Sequence, residues 1–129
     1  MNTSFERPYR PVDLNEPMTK AFPLMSMAEK LMKEANAATS GRASLTLAHG
    51  SEMTLVLVAL KAGTTLEDHQ APAAATVITL SGDIIFTTSG EKITLEQGEA
   101  VTFTADVLHA VYASEDSAFL IVIGGTGTN

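Results

Sequence analysis

Apolar residues follow two different periodicities along the chain. Between Pro23 and Gly41 they recur every three or four residues, the spacing of one helix face. They are Leu24, Met27, Ala28, Leu31, Met32 and Ala35. The pattern predicts a short helix that begins after Pro23 and is ended by Gly41, with Ser26 and Glu29 as a capping box if the helix begins slightly later. Residues 1–22 are predicted to be irregular or extended, because four of the five prolines lie at or before Pro23.

From Ser44 onward the apolar residues follow the shorter period of β-strands. Strands are predicted at residues 44–48, 53–61, 75–80, 83–88, 92–95, 100–104, 107–113 and 117–123. Glycine-containing turns such as Ser81-Gly82-Asp83 separate them. No helix-length segment connects the strands, so we expect antiparallel pairing. Eight short strands with such turns predict an all-β sandwich or barrel.

One run, at residues 53–60, is apolar almost throughout. It predicts a strand covered on both faces, by the β-structure's interior on one side and by the N-terminal helix or a second subunit on the other. We therefore expect a homodimer, although a covering helix alone would also explain the run. The expected organisation is an N-terminal extension at 1–43 with the short helix, a β domain at 44–123 and a flexible tail at 124–129.

Composition narrows the class of protein. The 129 residues fit one domain, and 45% hydrophobic with 18% charged residues is ordinary for a folded chain. The net charge of -7 argues against nucleic acid or an anionic membrane as a partner. The chain has no cysteine, hence no disulfide or thiolate site. The N-terminus lacks the pattern of a secretory signal and no apolar run could span a bilayer, so we expect a cytoplasmic protein.

Two histidines stand at fixed distances after glycine turns. His69 follows Gly63, in a stretch that runs on to Gly82, and His109 follows Gly98. This arrangement resembles the two motifs of the cupin superfamily. The first family motif has a glycine, two histidines, a glutamate and a glycine, and this chain has Gly63, His69, Ala71, Ala75 and Gly82 at those positions. The second has a glycine, a proline, a glycine and a histidine, where this chain has Gly98, Thr104, Asp106 and His109.

The resemblance implies a cupin-type antiparallel jelly-roll barrel with an incomplete metal-ligand set. Family members hold a divalent ion on three histidines and a glutamate, but Ala71 and Ala75 supply no donor atom. His69 and His109 could still ligate iron, nickel, manganese or zinc as a half-site, or they could be hydrogen-bonded histidines in a metal-free barrel. Strand alternation gives Glu67 the parity of His69 and turns Asp68 and Gln70 away, so Glu67 is the candidate third ligand.

The same register predicts an apolar pocket in the lumen, where Ala71, Ala75, Val77 and Thr79 lie beside the two histidines. His109 shares its strand face with Val107 and Val111, and burial there would lower its pKa and favour the neutral imidazole. The first functional hypothesis is a barrel that binds a small organic molecule without a tight metal site, its reaction unassigned. The alternative is a metal-dependent cupin enzyme of the dioxygenase, isomerase or decarboxylase type, with His69 and His109 as ligands.

Overall fold

The computed structural model describes residues 5–125 as a mostly β structure with one helix. The strands of this part are β1 (Val12–Asp13), β2 (Arg42–His49), β3 (Met53–Leu60), β4 (Thr65–His69), β5 (Ala75–Ser81), β6 (Ile84–Thr87), β7 (Lys92–Leu95), β8 (Ala100–Phe103), β9 (His109–Ala113) and β10 (Ser117–Gly124). The helix is α1 (Leu24–Ala37). The prediction of a β chain with one N-terminal helix is confirmed. The sequence patterns missed β1 and β4, both of which are short.

Helix α1 begins directly after Pro23, so Ser26 lies inside the first turn. Its hydroxyl donates to the carbonyl of Pro23, and no side chain caps the helix. The predicted capping box is therefore wrong, because the proline already fixes the start of the helix one turn earlier. The helix ends at Ala37, and Gly41 instead forms the turn into β2 with a φ of 75°.

The strands form two sheets. One sheet has six strands in the order β1-β2-β3-β10-β5-β8, and the other has four in the order β4-β9-β6-β7. Neighbours pair antiparallel, apart from β1 and β2, which pair parallel. Within the part of the chain described, no ladder joins the two sheets into a closed cylinder, so the predicted barrel is corrected to two facing sheets. The jelly-roll connectivity stays a prediction.

Two apolar clusters fill the structure, one on each face of the six-stranded sheet. On the outer face, α1 packs against β2, β3 and β10, and Phe5 is buried with them. Between the sheets lie residues such as Val77, Phe86 and Phe119. Strand β3 divides its side chains accordingly, since Leu57 belongs to the first cluster and Val58 to the second. Residues 57–60 of its apolar run are thus buried within one chain, whereas residues 53–56 are half-buried. The expected homodimer stays a prediction.

The first two residues of the predicted flexible tail form backbone hydrogen bonds with neighbouring segments. Gly124 ends β10 and its amide donates to the carbonyl of Ala74, at 2.9 Å. The amide of Gly125 donates to the carbonyl of Glu52, also at 2.9 Å. Residues 124 and 125 are therefore hydrogen-bonded to neighbouring segments, and residues 126–129 lie outside the described part. The flexible tail stays a prediction. The division of the chain into an N-terminal extension, a β domain and a tail, with boundaries after residues 43 and 123, stays a prediction. Across residues 5–125, no helix is long and apolar enough to cross a membrane.

Candidate functional site

A cavity of about 120 Å³ lies between the two sheets, at the end where β9 begins. Five of the predicted pocket residues line it: His69, Ala71, Ala75, Val77 and His109. Thr79 does not. It is fully buried further along β5, and its hydroxyl has no hydrogen-bond partner within the described residues. Sequence reasoning missed Gln70, Phe103 and Phe119, which also line the cavity.

The two motif turns adopt the backbone geometry that their glycine positions require. Gly63, Gly82 and Gly98 have φ angles of 86°, 82° and 86°. Asp106, which stands at the remaining motif glycine position, has a φ of 71° and is the one non-glycine residue with a positive φ among those described. Aspartate tolerates this region better than most residues. The substitution therefore keeps the turn that brings His109 to the start of β9.

A β-bulge sets the direction of His69. Strand β4 pairs with β9 so that Leu66 faces Val111 and His69 faces His109, which leaves one extra residue on β4. As a result Leu66 and His69 both line the cavity although they are three residues apart. Strict strand alternation predicted that Glu67 lies on the same face as His69 and that Gln70 lies on the opposite face. Both predictions are wrong, because Glu67 is exposed and outside the cavity lining, whereas Gln70 lines it.

Each imidazole is oriented by the carbonyl of the residue two positions earlier in the chain. His69 Nδ1 lies 2.8 Å from the carbonyl oxygen of Glu67, and His109 Nδ1 lies 2.9 Å from that of Val107. A carbonyl oxygen only accepts, so each Nδ1 carries the proton and donates. In the neutral ring, Nε2 then holds a free lone pair. Neither Nε2 has a hydrogen-bond partner in the described chain.

His109 lies in an aromatic cluster, and its ring centroid is 4.1 Å from that of His69. The Phe86 ring stacks on it at 5.1 Å, and the Phe103 ring lies at 4.6 Å. His109 is 4% exposed, whereas His69 is exposed at the mouth. Burial lowers the pKa of His109, the hydrogen bond to Val107 opposes this, the charge of His69 adds to it and the charge of Asp68 opposes it. The neutral imidazole is therefore favoured.

The residues present do not fit the metal site of the cupin motifs. Ala71 and Ala75 line the cavity at the positions of a histidine and a glutamate ligand. Within residues 5–125, no group of three or more histidine, cysteine, aspartate or glutamate side chains could hold an ion, so Glu67 does not join the two histidines. Stable divalent sites generally use three or four protein ligands. The pair His69 and His109 supplies two.

The comparisons with known proteins agree with this geometry. The cupin domain family model matches residues 56–128, more than half of the chain. The chain belongs to the cupin family. Comparison with curated proteins gave no match.

Solved structures share the fold. A conserved protein of unknown function from Streptococcus pyogenes has a TM-score of 0.70 and 21% identity, covering 95% of this cupin and 100% of that chain. A cupin superfamily protein from Desulfitobacterium hafniense DCB-2 has a TM-score of 0.70 and 20% identity, covering 86% and 95%. The DMSP lyase DddQ from Ruegeria pomeroyi DSS-3 has a TM-score of 0.61 and 21% identity, covering 68% of this cupin and 49% of that chain.

Proposed function

We propose that this cupin binds one small organic molecule in the cavity between its sheets, without a tight metal site. The observation that carries the proposal is the composition of the cavity, whose wall is apolar except for His69, His109 and Gln70. Pockets for small molecules combine an apolar wall with a few directional polar groups. No reaction is assigned.

The cavity limits the size and the affinity of the ligand. An apolar cavity of about 150 Å³ holds one benzene molecule, so about 120 Å³ suits a small ring or a short branched chain. Such a ligand has about six non-hydrogen atoms. At a ceiling of about 1.5 kcal/mol per atom, its dissociation constant is no lower than roughly 0.1–1 µM. Binding should therefore be sought at ligand concentrations up to the millimolar range.

A ligand-observed NMR screen tests the proposal with small cyclic and branched compounds. The decisive variant is Ala75→Leu, which fills the cavity, and its matched control is Ala100→Leu at an exposed position of β8. We expect wild type and the control to bind the same compounds and Ala75→Leu to bind none. Overpacking costs roughly 1–3 kcal/mol, so circular dichroism must show that the variant is folded. Equal binding by Ala75→Leu, or no binding by wild type, would overturn the proposal.

One observation favours the alternative of a metal-dependent enzyme. The carbonyl partners of both Nδ1 atoms leave the two Nε2 lone pairs free, which is how ligating histidines are commonly oriented. Elemental analysis after incubation with iron, nickel, manganese or zinc decides between the two functions. One ion per chain that is lost in both His69→Ala and His109→Ala would support the alternative. Absence of bound metal in wild type would contradict the alternative and leave small-molecule binding as the proposed function.

A further inference from the structure

Most of the polar side-chain groups that line the cavity are hydrogen-bond acceptors. His69 Nε2 and His109 Nε2 are acceptors, because each ring donates through Nδ1 to a carbonyl. Gln70 Nε2 uses one of its two N–H groups to donate to the carbonyl of Asp106 at 3.0 Å, and Gln70 Oε1 is a third acceptor. The lining includes no lysine, arginine, serine, threonine or tyrosine among the described residues. The side chains therefore offer a ligand three acceptors and one donor, the second N–H of Gln70.

The carboxylates near these acceptors act in the same direction. Asp68 is an exposed acidic residue that directly precedes His69 in the bulge. Glu67, whose carbonyl accepts from His69, is an exposed acidic residue. Asp106, whose carbonyl accepts from Gln70, is exposed and acidic as well. An anionic ligand would meet lone pairs and negative charge here. A cation that carries N–H donors would meet charge-assisted hydrogen-bond partners.

We infer that the ligand of the cavity is a small primary amine, bound as its alkylammonium ion; this rests on the proposed function. An ammonium group has three donors, which match the two imidazole Nε2 atoms and Gln70 Oε1 in number. The alkyl group occupies the apolar part of the cavity, against Val77, Phe119 and Ile121. The Phe103 ring lies beside His109 and adds a favourable aromatic face for the cation.

A matched series of ligands tests the chemical class. Isobutylamine, isobutanol and isobutyrate share one branched skeleton and differ in charge and donors. Each is titrated into the metal-free chain of 129 residues at pH 8 and low salt, and the amide NMR signals of Ala71 and Ala75 are followed. We expect the amine to bind about tenfold more tightly than the alcohol and the carboxylate to bind least, because charge-assisted hydrogen bonds are the stronger kind.

Two variants sharpen the test. Asp68→Lys reverses the charge beside His69 and should weaken amine binding about threefold or more at low salt. Its control is Glu115→Lys, in the turn at the opposite end of β9, which should leave the affinity unchanged. Gln70→Met keeps the length of the side chain but removes the acceptor, and should weaken the amine more than the alcohol.

The outcomes separate this inference from the proposed function. Alcohol or carboxylate binding that equals amine binding, and is abolished by Ala75→Leu, would overturn the amine inference and leave the proposed function standing. Absence of binding by all three probes at millimolar concentration would overturn the inference, and failure of the wider screen would then overturn the proposed function as well. Amine preference that Asp68→Lys weakens and Glu115→Lys does not would support both.

Discussion

His69 and His109 face each other across a strand pair, yet their surroundings differ. His109 is enclosed by aromatic rings and nearly inaccessible, whereas His69 lies at the mouth of the cavity. Both rings use a carbonyl two residues earlier to fix the same tautomer. One ring is thus rigid and favoured as neutral, while the other is open to water. This difference suits a site in which a ligand enters past His69 and stops at His109.

The lowered pKa of His109 predicts a pH dependence of stability. Its pKa is lower in the folded chain than in the unfolded chain, mainly through burial, so acidification protonates the unfolded state first. The free energy of unfolding should therefore be highest above the ordinary histidine pKa of about 6.5 and fall as the pH drops below it. Urea unfolding at pH 7.5, 6.5 and 5.5 measures this. His109→Gln should lose part of the fall, whereas His49→Gln, at an exposed position, should keep it. An identical fall in wild type and His109→Gln would contradict the assignment.

At the scale of elements, the sequence predicted what is local and missed what depends on a partner strand. Gly98 and His109 could be placed in advance through the resemblance to the second cupin motif, in which a glycine and a histidine stand at a fixed distance along the chain. The bulge in β4 could not, since an extra residue shows only in the register against β9. That single residue removed Glu67 from the cavity face, whereas Gln70 reaches the cavity just after the end of β4. Phe119 also lines the cavity from a distant strand, and only long-range packing positions it there.

The bulge in β4 yields a prediction about its deletion. Without Glu67, Leu66 and His69 would be two residues apart, so both would still face the cavity in a regular ladder. We expect the deletion to fold and to keep His69 opposite His109. The ring NMR signal of His109 reports the pair, because His69→Ala should shift it equally with and without Glu67. A shift seen only in the chain that retains Glu67 would show that the bulge is needed to aim His69.

At the scale of the whole molecule, we propose that two copies associate, as expected from the cupin resemblance. The apolar strand β3 argues for this less than its sequence did, because α1 and the facing sheet bury residues 57–60 and leave only residues 53–56 half-buried. The remaining exposed large apolar side chains among the described residues include Tyr112 and Leu108. Light scattering at micromolar concentration should give twice the mass of 13.6 kDa. A mass of one chain would overturn the proposal.

The N-terminal extension and the sheets form one packed unit, held at Phe5. This side chain is 3% exposed and belongs to the cluster under α1. Around it, Lys30 donates to the Phe5 carbonyl, and Arg7 bridges Glu34 and the carbonyl of Ser44. The extension thus contributes to the core rather than only carrying the helix. An irregular proline-rich segment has no periodicity from which the burial of one phenylalanine could be predicted.

Truncation of Phe5 should therefore destabilise the whole molecule. We expect Phe5→Ala to lower the free energy of unfolding by about 3 kcal/mol or more, because it leaves a cavity beneath α1. Met18→Ala removes a side chain that is 44% exposed and should change stability by at most about 0.5 kcal/mol. Urea unfolding followed by circular dichroism should show one transition in all three proteins, since the extension and sheets share a core. A separate early transition in wild type, or equal stability of Phe5→Ala and Met18→Ala, would mean that the extension folds independently of the sheets.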